Sequence, residues 1–126
     1  MLDHPLLRKA VLALWVFSVA GVVYLSLLPG VELPVNFWNS DKVGHFLAYG
    51  WLGALPLLAF ARRDLARTVA YAMIPLGGLV EWGQSFVPGR TASMGDAVAN
   101  ALGVFLGIWL VDVMAERIRR RRGLQA

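Results

Sequence analysis

The 126 residues include no cysteine, so the chain can form no disulfide and offers no thiolate nucleophile or cysteine metal ligand. Charge is scarce as well: 16% of residues are charged against 58% hydrophobic. A soluble domain of this length has too little interior to hide that much apolar surface. No HExxH or GxSxG pattern is present, which removes the commonest sequence marks of a hydrolase. No repeat of some twenty residues or more is visible either, and helices one and three do not match well enough to suggest an inverted repeat.

Long apolar runs stand in place of these. There are four: Ala10–Leu28, Val43–Ala61, Thr68–Val87 and Thr91–Val111. Each is close to the roughly 20 residues that a helix needs to cross a bilayer. They predict an all-α, polytopic membrane protein, a four-transmembrane-helix bundle with 1–126 as one domain and a basic tail over 116–126. Arg8 and Lys9 resemble the start of a signal peptide, but the run after them is long for one and no clean small-x-small site follows. The run is therefore read as a retained helix.

The net charge of +4 is sorted rather than spread, and it gives no nucleic-acid signature. Arg8 and Lys9 precede the first run, Arg62, Arg63 and Arg67 separate the second from the third, and Arg117, Arg119, Arg120, Arg121 and Arg122 follow the fourth. Lys42 and Arg90 fall in the other two connections. The positive-inside rule then predicts a multi-pass protein with both termini cytoplasmic. The arginine tail would anchor that topology and lie against anionic headgroups.

Local signals refine the helices. Pro29 and Gly30 stop the first run, and Pro34, Phe37 and Trp38 suit an interfacial segment. Ser40 is a candidate N-cap for the second helix, with Asp41 in its first turn; Thr91 and Ser93 are candidates for the fourth. Pro75, followed by Gly77 and Gly78, predicts a bend in the third helix. Gly44, Gly50 and Gly53 on the second helix, and Gly103 and Gly107 on the fourth, predict close helix contacts, within one chain or in a homo-oligomer.

Three of the runs each carry one residue that lipid penalises: His45, Glu81 and Asp96. Counted at 1.5 Å per residue from the outer ends, they lie roughly 5, 9 and 8 Å deep. All three thus fall in the outer third of a hydrocarbon core about 30 Å thick. Polar neighbours share their helix faces: Asp41 with His45, Gln84 with Glu81, and Asn100 with Asp96. Arg90 sits on the short connection above the last two helices. Intramembrane ionisable groups mark functional sites by default. The plainer alternative is that the same contacts hold the bundle together, because lipid gives helices little hydrophobic reason to associate.

These residues resemble the VanZ-like family of small bacterial membrane proteins. The matching text is Ser26-Leu27-Leu28-Pro29, Asp41-Lys42-Val43-Gly44-His45-Phe46, Glu81-x-x-Gln84, Arg90, and Asp96-x-x-x-Asn100-x-x-Gly103-x-x-x-Gly107. The joint spacing covers all four predicted helices. Some members carry an acidic residue where this chain has Ser93, so a site here would hold one charge fewer. The resemblance implies placement in a bacterial inner membrane. It also implies a link to the cell envelope, since the family name comes from low-level resistance to the glycopeptide teicoplanin.

Three functions follow as expectations. The first is a polar site at the extracytoplasmic side that binds an envelope lipid or glycan headgroup or a cell-wall precursor. Arg90 and Lys42 would serve it as counter-charges, and Asp41, Gln84 and Asn100 as orienting groups. The second is a metal-assisted lipid phosphoesterase or headgroup transferase. There Glu81, His45 and Asp96 would be catalytic, and Glu81, Asp96, His45 and Asp41 would be the donors for a divalent metal. The third is a transporter or flippase formed by an oligomer, for which the wholly apolar Val104–Leu110 offers no polar path within one chain.

Overall fold

The computed structural model describes residues 4–29 and 40–123, without the side chains of Ser40 and Asp41. The expected interfacial segment with Pro34, Phe37 and Trp38 lies outside the described residues, as do the capping role of Ser40 and the last three residues of the tail. The described residues are all-helical: α1 (Pro5–Leu27), α2 (Ser40–Ala59), α3 (Arg63–Tyr71), α4 (Met73–Gln84) and α5 (Met94–Gly123).

Two of these, α1 and α5, have both the length and the apolar composition to cross a membrane. At 1.5 Å per residue α5 is about 45 Å long, more than the roughly 30 Å of a hydrocarbon core. Its arginine-rich end therefore has to project beyond the apolar stretch. The helix outlasts its apolar run because Glu116, Arg117, Arg119 and Arg120 are good helix formers. Glu116 also pairs with Arg120 one turn on. That hydrogen bond, and the guanidinium charge behind it, hold the Glu116 carboxyl below its usual value.

Where one helix was expected over 68–87, two stand nearly end to end. The polypeptide between Arg62 and Arg67, expected as a loop, is the first turns of α3. The break at Ala72 follows from Pro75, which has no N–H for the carbonyl of Tyr71 and crowds it. Pro56 creates the same vacancy inside α2, at the carbonyl of Leu52. There the fold supplies a donor, the Trp15 indole of α1, at 3.0 Å. α2 consequently continues through its proline.

The centre of the bundle is the α2–α5 seam. The buried residues of α5 run Asp96, Ala99, Asn100, Gly103, Val104, Gly107, Ile108, Val111 and Ala115, a single stripe at helical spacing. Gly103 and Gly107 face the α2 backbone so closely that a Cβ on either would collide with the carbonyl oxygen of Phe46 or Gly50. Gly53 returns the fit, a Cβ there meeting Val104 at 3.0 Å. By contrast no described residue lies within 4 Å of a Cβ at Gly21, Gly44 or Gly78.

The distribution of polarity is inverted relative to a soluble domain. Phe17, Leu47, Leu79, Trp82, Phe86 and Trp109 are exposed on the outside, while Glu81, Gln84, Asp96 and Asn100 are buried. Large apolar side chains outside and polar ones inside are the arrangement of a surface made for lipid.

Candidate functional site

The connection from α4 to α5 sets the geometry of the polar end. Arg90 N–H donates to Val87 O at 3.1 Å. Pro88 and Gly89 occupy the two central positions of that turn, Gly89 with φ 79°. This is the arrangement of a type II turn, in which the third residue needs positive φ. The tight reversal brings the last turns of α4 against the first turn of α5. Of the two candidate caps, Ser93 precedes the helix, its carbonyl accepting from the N–H groups of Asp96 and Ala97.

Glu81 reaches across this junction. Its Oε2 accepts from the Ser93 N–H at 3.2 Å, so the carboxylate sits at the positive end of α5. Its Oε1 lies 3.6 Å from Nδ1 of His45, on α2. The same Nδ1 is 3.1 Å from Oδ1 of Asn100, on α5. Asp96, one turn before Asn100, holds its Oδ1 3.5 Å from the Lys42 ammonium. Lys42 is half exposed and Asp96 almost fully buried, so the pair closes the solvent edge of the cluster. One nitrogen of His45 and one oxygen each of Glu81 and Asp96 lie within 4.8 Å of one another.

The structure thus brings His45, Glu81, Asp96, Asn100 and Lys42 to one place. Gln84 lies one turn along from Glu81 and donates to the Ser26 carbonyl at 3.0 Å. Arg90, expected as a counter-charge of the site, instead donates to the carbonyls of Leu28 at 3.3 Å and Leu25 at 3.2 Å. These are carbonyls at the end of α1, which lack partners within their own helix and attract a cation. Gln84 and Arg90 therefore tie α1 to the polar end. The Asp41 side chain lies outside the described residues.

The family model of VanZ/LLP1 matches residues 8–115, all but the ends of the chain. The chain belongs to the VanZ/LLP1 family. An uncharacterized protein of Schizosaccharomyces pombe is 34% identical over 127 residues, covering 94% of this chain and 75% of its own length. No solved structure matches the chain. As a VanZ/LLP1 member with two helices fit to span a bilayer, it is a membrane protein.

One residue that the sequence reading did not select, and one that it named as a cap and as a departure from the family, also bear on this VanZ/LLP1 site. Tyr49 is 1% exposed, and its buried hydroxyl has no hydrogen-bond partner among the described residues. It lies within electrostatic reach of Glu81. Its position was open to inspection: Tyr49 follows His45 by one helical turn on the same face. Ser93 is the other, through its backbone. The Ser93 N–H donates to Glu81, so a carboxylate at position 93 would add its charge beside the cluster.

Proposed function

We propose that the protein crosses the membrane several times, through α1, α2, the α3–α4 rod and α5, with the His45–Glu81–Asp96 cluster at the extracytoplasmic end. The cluster binds the phosphate-bearing headgroup of a membrane lipid. The observation that carries this reading is the convergence of buried, ionisable side chains from three helices beside a half-exposed lysine. Groups that served only as glue would be fully paired, whereas Asn100 Nδ2 and the Tyr49 hydroxyl are buried without hydrogen bonds among the described residues. Lys42 supplies the cation for the phosphate, and Arg90 positions the loop above it.

Depth supports several crossings. Asp96 and Asp112 mark the two ends of the bundle and are sixteen residues apart on α5, or about 24 Å. The basic residues at the start of α1, the start of α3 and the end of α5 share the end away from the cluster, which the positive-inside rule assigns to the cytoplasm. A relative in fission yeast favours a ligand general to membranes, a glycerophospholipid, over a bacterial cell-wall precursor. Glycopeptide resistance would then be an indirect consequence of an altered envelope. Gly50, Gly53, Gly103 and Gly107 already pack within the chain, so a glycine-mediated oligomer would draw on others, such as Gly21, Gly44 or Gly78.

The His45–Glu81 contact also favours a catalytic version, with His45 or Glu81 as general base in phosphoester cleavage or headgroup transfer. One experiment tests both. Protein purified in detergent with native lipid is extracted and the retained lipid identified by mass spectrometry; labelled lipid is then supplied and its products followed. Retained intact phospholipid supports binding, and released headgroup supports catalysis. Equal retention by wild type and a well-folded Glu81→Gln, Asp96→Asn double variant would remove the site reading. Orientation is read separately: in intact cells an impermeant thiol reagent should label Thr91→Cys and spare Asp64→Cys.

A further inference from the structure

We propose that His45 Nδ1, Glu81 and Asp96 form a divalent-cation site, and that the oxygen carried by the bound cation is the acceptor for Tyr49 and Asn100. The proposal deepens the headgroup reading, on which the identity of that oxygen rests; binding of the cation itself stands apart from it.

The ligand atoms come from α2, α4 and α5 and are already within 4.8 Å of one another. They belong to side chains held by the fold: Glu81 by the Ser93 N–H, and Asp96 by the first turn of α5. Two carboxylates lie together, 5% and 4% exposed, beside a lysine whose side chain is 45% exposed. Buried carboxylates held this close require either a proton or a cation between them.

Tyr49 and Asn100 distinguish those two cases. Both are 1% exposed, and both place a donor, the phenol O–H and Nδ2, without a partner among the described residues. The Tyr49 ring edge and Asn100 Nδ2 converge over Gly77, where a Cβ would stand 3.0 Å from one and 3.1 Å from the other. A proton shared by the carboxylates brings these donors no new acceptor. A cation that carries a water or a phosphate oxygen gives them an acceptor. One imidazole and two carboxylates suit Mn²⁺ or Zn²⁺ better than Ca²⁺, which prefers oxygen alone. Coordination through Nδ1 places the imidazole proton on Nε2 and frees the Asn100 oxygen as a further donor atom to the metal.

Lys42 supplies the discriminating test. Its ammonium, 3.5 Å from Asp96 Oδ1, competes with any cation for that oxygen. Protein stripped with a chelator is titrated with Mn²⁺, followed by electron paramagnetic resonance, and with Zn²⁺, followed by the melting temperature. One cation per chain is expected, with melting raised by several degrees. Glu81→Gln and Asp96→Asn should each weaken binding at least about tenfold, as loss of a metal-site group does. Lys42→Met, a change at the exposed edge, should strengthen it. No saturable binding by wild type, or no gain in Lys42→Met, overturns the proposal. Phospholipid retained by chelator-stripped protein that binds neither metal overturns the cation and leaves the headgroup reading standing. Bound cation with no lipid retained upholds the cation and removes the headgroup.

Discussion

The bundle carries a polar cluster at each end of α5, and the two are built to opposite rules. At the far end Asp112 accepts from Arg63 and from Arg67, each at 2.8 Å, one carboxylate oxygen per arginine. The three side chains are partly exposed and the geometry is that of a strong charge-assisted pair. At the near end the ion-pair contacts lengthen to 3.5 and 3.6 Å beside hydrogen bonds of 3.1 and 3.2 Å, the carboxylates are buried, and several polar atoms have no hydrogen bond among the described residues. The first cluster is complete within the chain. The second leaves the Tyr49 hydroxyl and Asn100 Nδ2 without hydrogen bonds among the described residues. Both are carried by the same helix, so local helix geometry does not account for the difference.

The largest effect should come from breaking what holds both clusters in place. Gly103→Leu puts a side chain into the carbonyl of Phe46, an obstacle of backbone that cannot rotate away. The loss should exceed the roughly 1–3 kcal/mol of ordinary overpacking. The variant should lose monodisperse protein in size-exclusion chromatography, and recovery of wild-type melting would show that the seam is not the core.

Next come the near-end carboxylates. Glu81→Gln and Asp96→Asn preserve size and remove charge. Each should abolish retention of lipid while melting stays within a few degrees of wild type. A large drop in melting with retention unchanged would make the two clusters alike, both structural.

Asp112→Asn should do the reverse. It removes a paired, partly exposed charge, at a cost of about 1 kcal/mol. Melting in detergent should fall by a few degrees and lipid retention should not change. A loss of retention would mean that the far cluster reaches the near one through α5.

Glu116 gives the smallest effect. Its carboxyl is held below the ordinary 4.5 by the hydrogen bond and charge of Arg120. Because the folded value is the lower one, the contribution is present above the ordinary value and is lost as pH falls through the lowered one. Helicity of the tail, followed by NMR, should decline over that acid range in wild type. Glu116→Gln should flatten the decline, and an unchanged profile would exclude this pair as its source.

Much of this was legible in the amino-acid order. Apolar runs located the helices, because burying or spanning demands such runs whatever the partners are. The shared depth of His45, Glu81 and Asp96 was countable, since rise per residue is a property of the helix alone. Helix ends were less legible. The run boundaries at Leu28, Thr68 and Val111 mark where apolarity changes, and α3 and α5 continue as helix into arginine-rich sequence where apolarity has ended. The Arg63–Arg67–Asp112 clamp was hidden for a related reason: those arginines read as a topology signal, and nothing local says that an aspartate forty-five residues after Arg67 will face them.

By itself the sequence determined membrane residence, helical class and the set of polar residues at one level, because each rests on composition or on periodicity along one helix. The tertiary structure decided which of those residues meet. It gave the Leu52 carbonyl to Trp15, turned Arg90 to the end of α1 and set Lys42 on Asp96. It also brought the Tyr49 ring and Asn100 together beside Gly77. Such pairings depend on how helices rotate and cross, and crossing is set by side chains fitting across interfaces between segments distant in the chain.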